Sequence, residues 1–196
     1  VRRLFFALWP ERAAAERLAA SIAPYLDDIG IEGIPAPDLH VTLCFLGALD
    51  SGQEAVLVQR AGTLDAGAFA LDLDTLDYWS GARALVLEAR RVPGAALALA
   101  ARLRALARDS GCTPEGTSWR PHVTLARRVP EAALQPVGWP FPPARWPVLR
   151  LAAQQFCLVH SPSLPADAPA LADAAQRSGT PRYRRVQAWP LRRPTA

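Results

Sequence analysis

The tetrapeptide HVTL occurs at His40-Val41-Thr42-Leu43 and again at His122-Val123-Thr124-Leu125, in a chain of 196 residues that holds only three histidines. Each copy is apolar and β-branched enough to read as strand, the first over residues 39–46 and closed by Gly47. Side chains alternate between faces along a strand, so His40 and Thr42 share one face and Val41 and Leu43 the other. The same holds for His122 and Thr124. Each motif therefore sets an imidazole beside a hydroxyl, with an apolar side turned to a core.

Upstream of each motif the same order of elements recurs. Residues 3–8 predict a short buried strand, Pro10 suits the first turn of a helix over 11–26 with Leu18, Ile22 and Leu26 on one stripe, and 30–38 is a loop. In the second half a strand over 84–89 is followed by Val92-Pro93, a helix carrying Leu99, Leu103 and Leu106 on one face, and a polar loop over 111–121. The two motif histidines are 82 positions apart and Pro10 and Pro93 are 83 apart. This spacing predicts an internal duplication of units 3–47 and 84–128 within a single domain spanning 1–196. Two copies of so long a period point to two lobes about a pseudo-two-fold axis, not to a solenoid. Between the units, a helix is expected over 52–64 and a strand over 69–76, where Asp72 and Asp74 mark a solvated side. Beyond them come a proline-rich loop over 138–147, a strand over 148–159, His160 in a loop, a long connection over 161–181 and a last strand over 182–188.

Composition narrows the chemistry. The chain is 51% hydrophobic and 20% charged, which suits one compact domain or two packed lobes. All 22 basic residues are arginine, against 18 acidic ones, for a net charge of +4. The absence of lysine removes P-loop, Schiff-base and self-adenylating ligase chemistry. Arginine remains suited to bidentate phosphate contacts. Cys44, Cys112 and Cys157 are read as buried thiols, and three histidines without paired spacing predict no metal; no cofactor is expected. The apolar opening 4–8 is too short for a signal-peptide core, and no apolar run approaches the roughly 20 residues that span a membrane. A cytoplasmic location is expected.

Two imidazoles across a groove are equipment for general acid–base work near neutral pH. The matching reaction is in-line displacement at phosphorus, with Thr42 and Thr124 donating to the non-bridging oxygens. With the opening Arg3-Leu4-Phe5-Phe6-Ala7, with Phe45-Leu46-Gly47 and Ser110-Gly111-Cys112, and with Tyr183 and Trp189 near the end, the two motifs resemble the 2H phosphoesterase superfamily. The closer resemblance is to its RNA 2′,3′-cyclic phosphodiesterases, formerly called 2′-5′ RNA ligases. It implies an α+β, bilobal fold with an antiparallel sheet and flanking helices in each lobe and a catalytic groove between them. It also implies metal-independent hydrolysis of RNA 2′,3′-cyclic phosphate ends, tRNA fragments among them, to a 2′-phosphate, and ATP-independent 2′-5′ joining in reverse. By position His40 would be the proton donor and His122 the proton acceptor, in a monomer. Phe45 matches an aromatic near the terminal base, Arg127 a basic residue near the RNA phosphate, and Arg120 is a comparable RNA contact. Strict alternation turns Phe45 and Arg127 away from the His/Thr face, so a bulge or strand end is required. The connection over 161–181 is longer than the family's usual turn. Two other readings keep less of the pattern: a phosphodiesterase for small cyclic nucleotides or other cyclic phosphates, and an RNA-binding module without turnover.

Overall fold

In the computed structural model, residues 1–114, 118–134, 147–162 and 181–193 are described. The expected loop over 138–147 and connection over 161–181 lie outside them except at their end residues. Among the described residues, nine strands and four α-helices, besides two short 3-10 turns, follow in the order β1 (Arg2–Leu8), α1 (Arg12–Asp28), β2 (Val41–Leu49), α2 (Ser51–Ala61), β3 (Phe69–Leu73), β4 (Thr75–Trp79), β5 (Ala84–Glu88), α3 (Gly94–Asp109), β6 (His122–Ala126), α4 (Glu131–Leu134), β7 (Leu149–Ala153), β8 (Gln155–His160) and β9 (Arg184–Pro190). All pairings between these strands are antiparallel. β4, β5 and β6 form one half-sheet and β2, β1, β8 and β9 the other, and they meet edge to edge where β6 pairs β2. The expected sheets of the two lobes are thus continuous. β3 and β7 form a separate two-stranded sheet.

α1 buries Ala15, Leu18, Ile22 and Leu26, and α3 buries Leu99, Leu103 and Leu106, on the 3.6-residue stripes read from the sequence. Both stripes join one core with Leu4, Phe6, Leu8, Val41, Leu43, Val123 and Leu125, so the helices cover one face of the large sheet. The opposite face carries a smaller cluster of Phe5, Ala7, Cys157 and Val159, flanked by Trp9 and Tyr183. All three cysteines are free and buried. No described helix is long and apolar enough to cross a membrane.

Several boundaries differ from the sequence reading. The strand expected over 69–76 stops at Leu73, because Asp74 turns the chain from one sheet to the other. Its amide donates to Glu88 O at 2.8 Å and its carboxylate accepts from Arg90 N at 3.2 Å. The strand resumes as β4, through Trp79. The stretch 148–159 divides in the same way at Gln154, whose carbonyl accepts from Leu191 N at 2.8 Å. The sequence reads each as one strand, since strand-forming residues lie on both sides of the break and the change of partner is set by distant strands. α2 ends at Ala61, three residues before Leu64. His160, expected in a loop, is the last residue of β8, opposite Leu4 and Arg184. β2 begins after His40 and runs through Gly47 to Leu49.

Gly47 has φ +80°, next to a slip in register where Leu4 faces Gly47 but Phe5 faces Phe45, leaving Leu46 over. A methyl at Gly47 meets no atom within 4 Å, so Gly47→Ala tests backbone strain alone. We expect it to cost about 1–2 kcal/mol in urea unfolding, whereas Gly67→Ala, equally uncrowded and without a positive φ, costs less. Equal midpoints for the two variants would contradict the strain at Gly47.

Candidate active site

β2 and β6 share one ladder pair, Val41 with Val123, the corresponding residues of the two motifs. An antiparallel strand that pairs with its own equivalent at the same residue lies on a two-fold axis. One step to either side, the register sets His40 across from Thr124 and His122 across from Thr42. Both valines are fully buried, which fixes the other face for the histidines and threonines. His40 and Thr124 line a small pocket with Ile34, Asp38, Arg127 and Tyr183.

The two imidazoles are held alike. His40 Nδ1 lies 2.7 Å from Asp38 O and His122 Nδ1 lies 2.8 Å from Arg120 O, in each case the carbonyl two residues earlier. A carbonyl only accepts, so Nδ1 carries the hydrogen in both rings and Nε2 of the neutral ring is left as the proton-accepting atom. Burial pushes His40 down to about 4, the Asp38 carbonyl opposes this, and the charges of Arg127 and His122 add to it. His122 is also lowered, mainly by burial and further by Arg127 and Arg120, while the Arg120 carbonyl and Glu88 oppose the shift.

Their surroundings are different. His40 stacks on Trp9 at 4.9 Å and 19° and meets Tyr183 edge-on at 4.8 Å, with Phe5 at 5.1 Å. Trp9 is anchored by its Nε1 donating to Pro37 O at 2.9 Å. Asp38, the buried carboxylate beside this ring, accepts from the amides of Arg182 (3.0 Å) and Tyr183 (3.2 Å). One residue thus holds both the His40 ring, through its carbonyl, and the start of β9, through its side chain. Burial raises the Asp38 carboxyl, and the two amides and the Arg182 charge partly offset it. His122 instead meets Trp79 at 4.2 Å. Arg120 lies over Trp79 and donates to both oxygens of Glu88 at 2.7 and 2.8 Å, so its guanidinium is already paired.

Phe45 and Arg127 reach the histidine face through matching bulges. Phe6 faces Cys44 and Ala7 faces Thr42, so Leu43 is an extra residue in β2. Leu85 faces Ala126 and Val86 faces Thr124, so Leu125 is its counterpart in β6. Each bulge buries two successive residues, Leu43 with Cys44 and Leu125 with Ala126, and returns the next residue to the open side. There Phe45, 47% exposed, lies 5.8 Å from Phe5, and Arg127 enters the pocket of His40 and Thr124. A wider cleft of about 820 Å³ adjoins the site at Trp9, Pro37 and Tyr183. Among the described residues no group of three or more His, Cys, Asp or Glu side chains is arranged to hold a metal ion. Trp9, Asp38, Trp79 and Glu88 carry no motif, and sequence reading passed over them.

The sequence profile of the 2′-5′ RNA ligase superfamily matches residues 9–160. Over 135 residues the chain is 33% identical to the RNA 2′,3′-cyclic phosphodiesterase of Escherichia coli (strain K12), covering 69% of this chain and 77% of that one. Its fold is similar to that of E. coli LigT complexed with 3′-AMP, at a TM-score of 0.79 and 28% identity over 97% of this chain and 98% of that one. It is also similar to a protein of Thermus thermophilus, at a TM-score of 0.64 and 25% identity over 98% and 100% of the two chains.

The burial of the His40 ring has a measurable consequence. Followed by NMR, its imidazole is expected to titrate near pH 4, and His122 below the ordinary value of about 6.5. Between those limits the unfolded chain takes up a proton that the folded one refuses, so stability falls as the pH drops from about 6.5 towards about 4. A His40 midpoint at or above 6.5 would contradict this.

Proposed function

The chain belongs to the 2′-5′ RNA ligase superfamily, and on that premise we propose that it hydrolyses RNA 2′,3′-cyclic phosphate ends to a 2′-phosphate by two-histidine acid–base catalysis. The observation that carries this reading is the pair of Nδ1-anchored imidazoles set opposite threonines across a two-fold strand pairing. Two such units facing one another suit a reaction with an attacking oxygen on one side of phosphorus and a leaving oxygen on the other.

In the proposed step the cyclic phosphate sits between the Thr42 and Thr124 hydroxyls, which donate to its non-bridging oxygens. Arg127 supplies positive charge beside them. Nε2 of His122 takes a proton from water as that oxygen forms a bond to phosphorus. The bond from phosphorus to the 3′ oxygen breaks, and Nε2–H of His40 delivers a proton to it. Before substrate arrives, burial and Arg127 disfavour the imidazolium. The phosphate anion opposes both influences, so the working proton is acquired with the substrate. The order of roles follows the resemblance of the motifs.

No ATP and no metal are consumed in this scheme. Run in reverse with a 5′-hydroxyl RNA end in place of water, the same proton transfers would form a 2′-5′ linkage. Phe45 offers an exposed ring on which any terminal base can stack. Arg120, shared with Glu88, is the weaker candidate for RNA contact and Arg127 the stronger. The matching bulges and histidine anchors also support descent of units 3–47 and 84–128 from one duplicated segment.

Incubation of the protein with a short RNA ending in a 2′,3′-cyclic phosphate, in EDTA and without ATP, is expected to yield a 2′-phosphate end. His40→Ala and His122→Ala should each lower the rate on the order of 10²–10⁴-fold, with smaller losses for Thr42→Ala and Thr124→Ala. Full activity in either histidine variant would overturn the mechanism. Turnover of cyclic mononucleotides with the RNA left intact would move the substrate to small cyclic phosphates.

A further inference from the structure

The two-fold symmetry of the site is broken next to each histidine. In the β1/β2 pair, Leu8 is opposite Val41, and in the β5/β6 pair, Leu87 is opposite Val123. The next residue outward is Trp9 in the first case and Glu88 in the second. Corresponding positions therefore bring an indole against His40 and a carboxylate across the strand pair from His122.

We propose that Glu88 is the positioning residue that tells the two histidines apart, holding His122 as the proton-accepting member of the pair. The assignment rests on the catalytic reading above. Glu88 is mostly buried, its side chain 15% exposed, and it is immobilised from two directions. Trp79 Nε1 donates to it from β4, and Arg120 donates to both of its oxygens from the loop before β6. These are also the residues that fix His122: the Trp79 ring packs on it, and the Arg120 carbonyl takes its Nδ1–H. Glu88 thereby ties together the whole setting of one imidazole.

Its charge acts in the same direction as its position. The groups facing His122 are Glu88 from β5, Arg120 with its second partner Asp77 from the preceding loop and β4, Arg127 beyond β6, and His40 across the axis. Glu88 favours the imidazolium by charge, and Arg127 and Arg120 oppose it. His40 has Trp9, Tyr183 and Phe5 around it and Arg127 nearby, and the Asp38 carboxylate on its side is taken up by the amides of Arg182 and Tyr183. A carboxylate opposite His122 in the strand pair, against the indole packed on His40 at the corresponding position, makes His122 the better proton acceptor. His40, once protonated, is the readier donor to a leaving oxygen.

Glu88→Gln tests this, because the amide keeps one oxygen for Trp79 and Arg120 while it removes the charge and the second Arg120 contact. With NMR titration of all three histidines, the His122 midpoint is expected to fall by about one pH unit while His40 and His160 keep theirs. On cyclic-phosphate RNA, the kcat/KM profile should move by the same interval on one limb only, and Glu88→Asp should restore part of the shift. An unmoved His122 midpoint, or equal displacement of His122 and His40, would overturn the inference. The titration needs no turnover: a shifted His122 in a protein that leaves cyclic-phosphate RNA intact sinks the substrate reading and keeps the tuning by Glu88.

Discussion

The structure depends on one backbone contact, the antiparallel pairing of Val41 with Val123. It joins the edges of two half-sheets, and because the paired residues are equivalent it also fixes where each histidine stands. A slip of one residue would turn the imidazoles towards the core and expose the valines, and the full burial of both valines opposes that slip. The same contact thus makes the sheet continuous and aligns two imidazoles across it.

Around this contact the strands depart from regularity at corresponding places. The extra residues Leu43 and Leu125 are buried, so they add to the core while changing the phase of everything that follows. Without them, the open face would end at Thr42 and Thr124. With them, it gains an aromatic ring at Phe45 and a cation at Arg127. The bulges extend the site along the strand without adding a loop.

The electrostatics follow from burial in a basic, lysine-free chain. Both imidazoles are partly withdrawn from water beside Arg127, which favours their neutral forms, and both are anchored through Nδ1 by a preceding carbonyl. The halves diverge in what surrounds those rings. Asp38 commits its side chain to the start of β9 and brings Tyr183 onto His40, whereas Glu88 commits its side chain to Trp79 and Arg120 around His122. A nearly symmetric scaffold therefore holds two imidazoles in unlike settings.

Much of this was legible in the residues themselves. Repetition of the motif at a spacing of 82 determined a His/Thr face on each motif strand, because side-chain alternation is a local property of a strand. The stripes of α1 and α3 were equally local. Tertiary structure alone decided the breaks at Asp74 and Gln154, where the chain exchanges one strand partner for another. It decided the bulges, which alternation said were needed for Phe45 and Arg127 but did not locate. It also decided the neighbours of the two histidines: Trp9 lies 31 positions from His40 and Glu88 lies 34 from His122. Those distances are closed only by strand pairing, which is a contact between distant residues and leaves no period in the sequence.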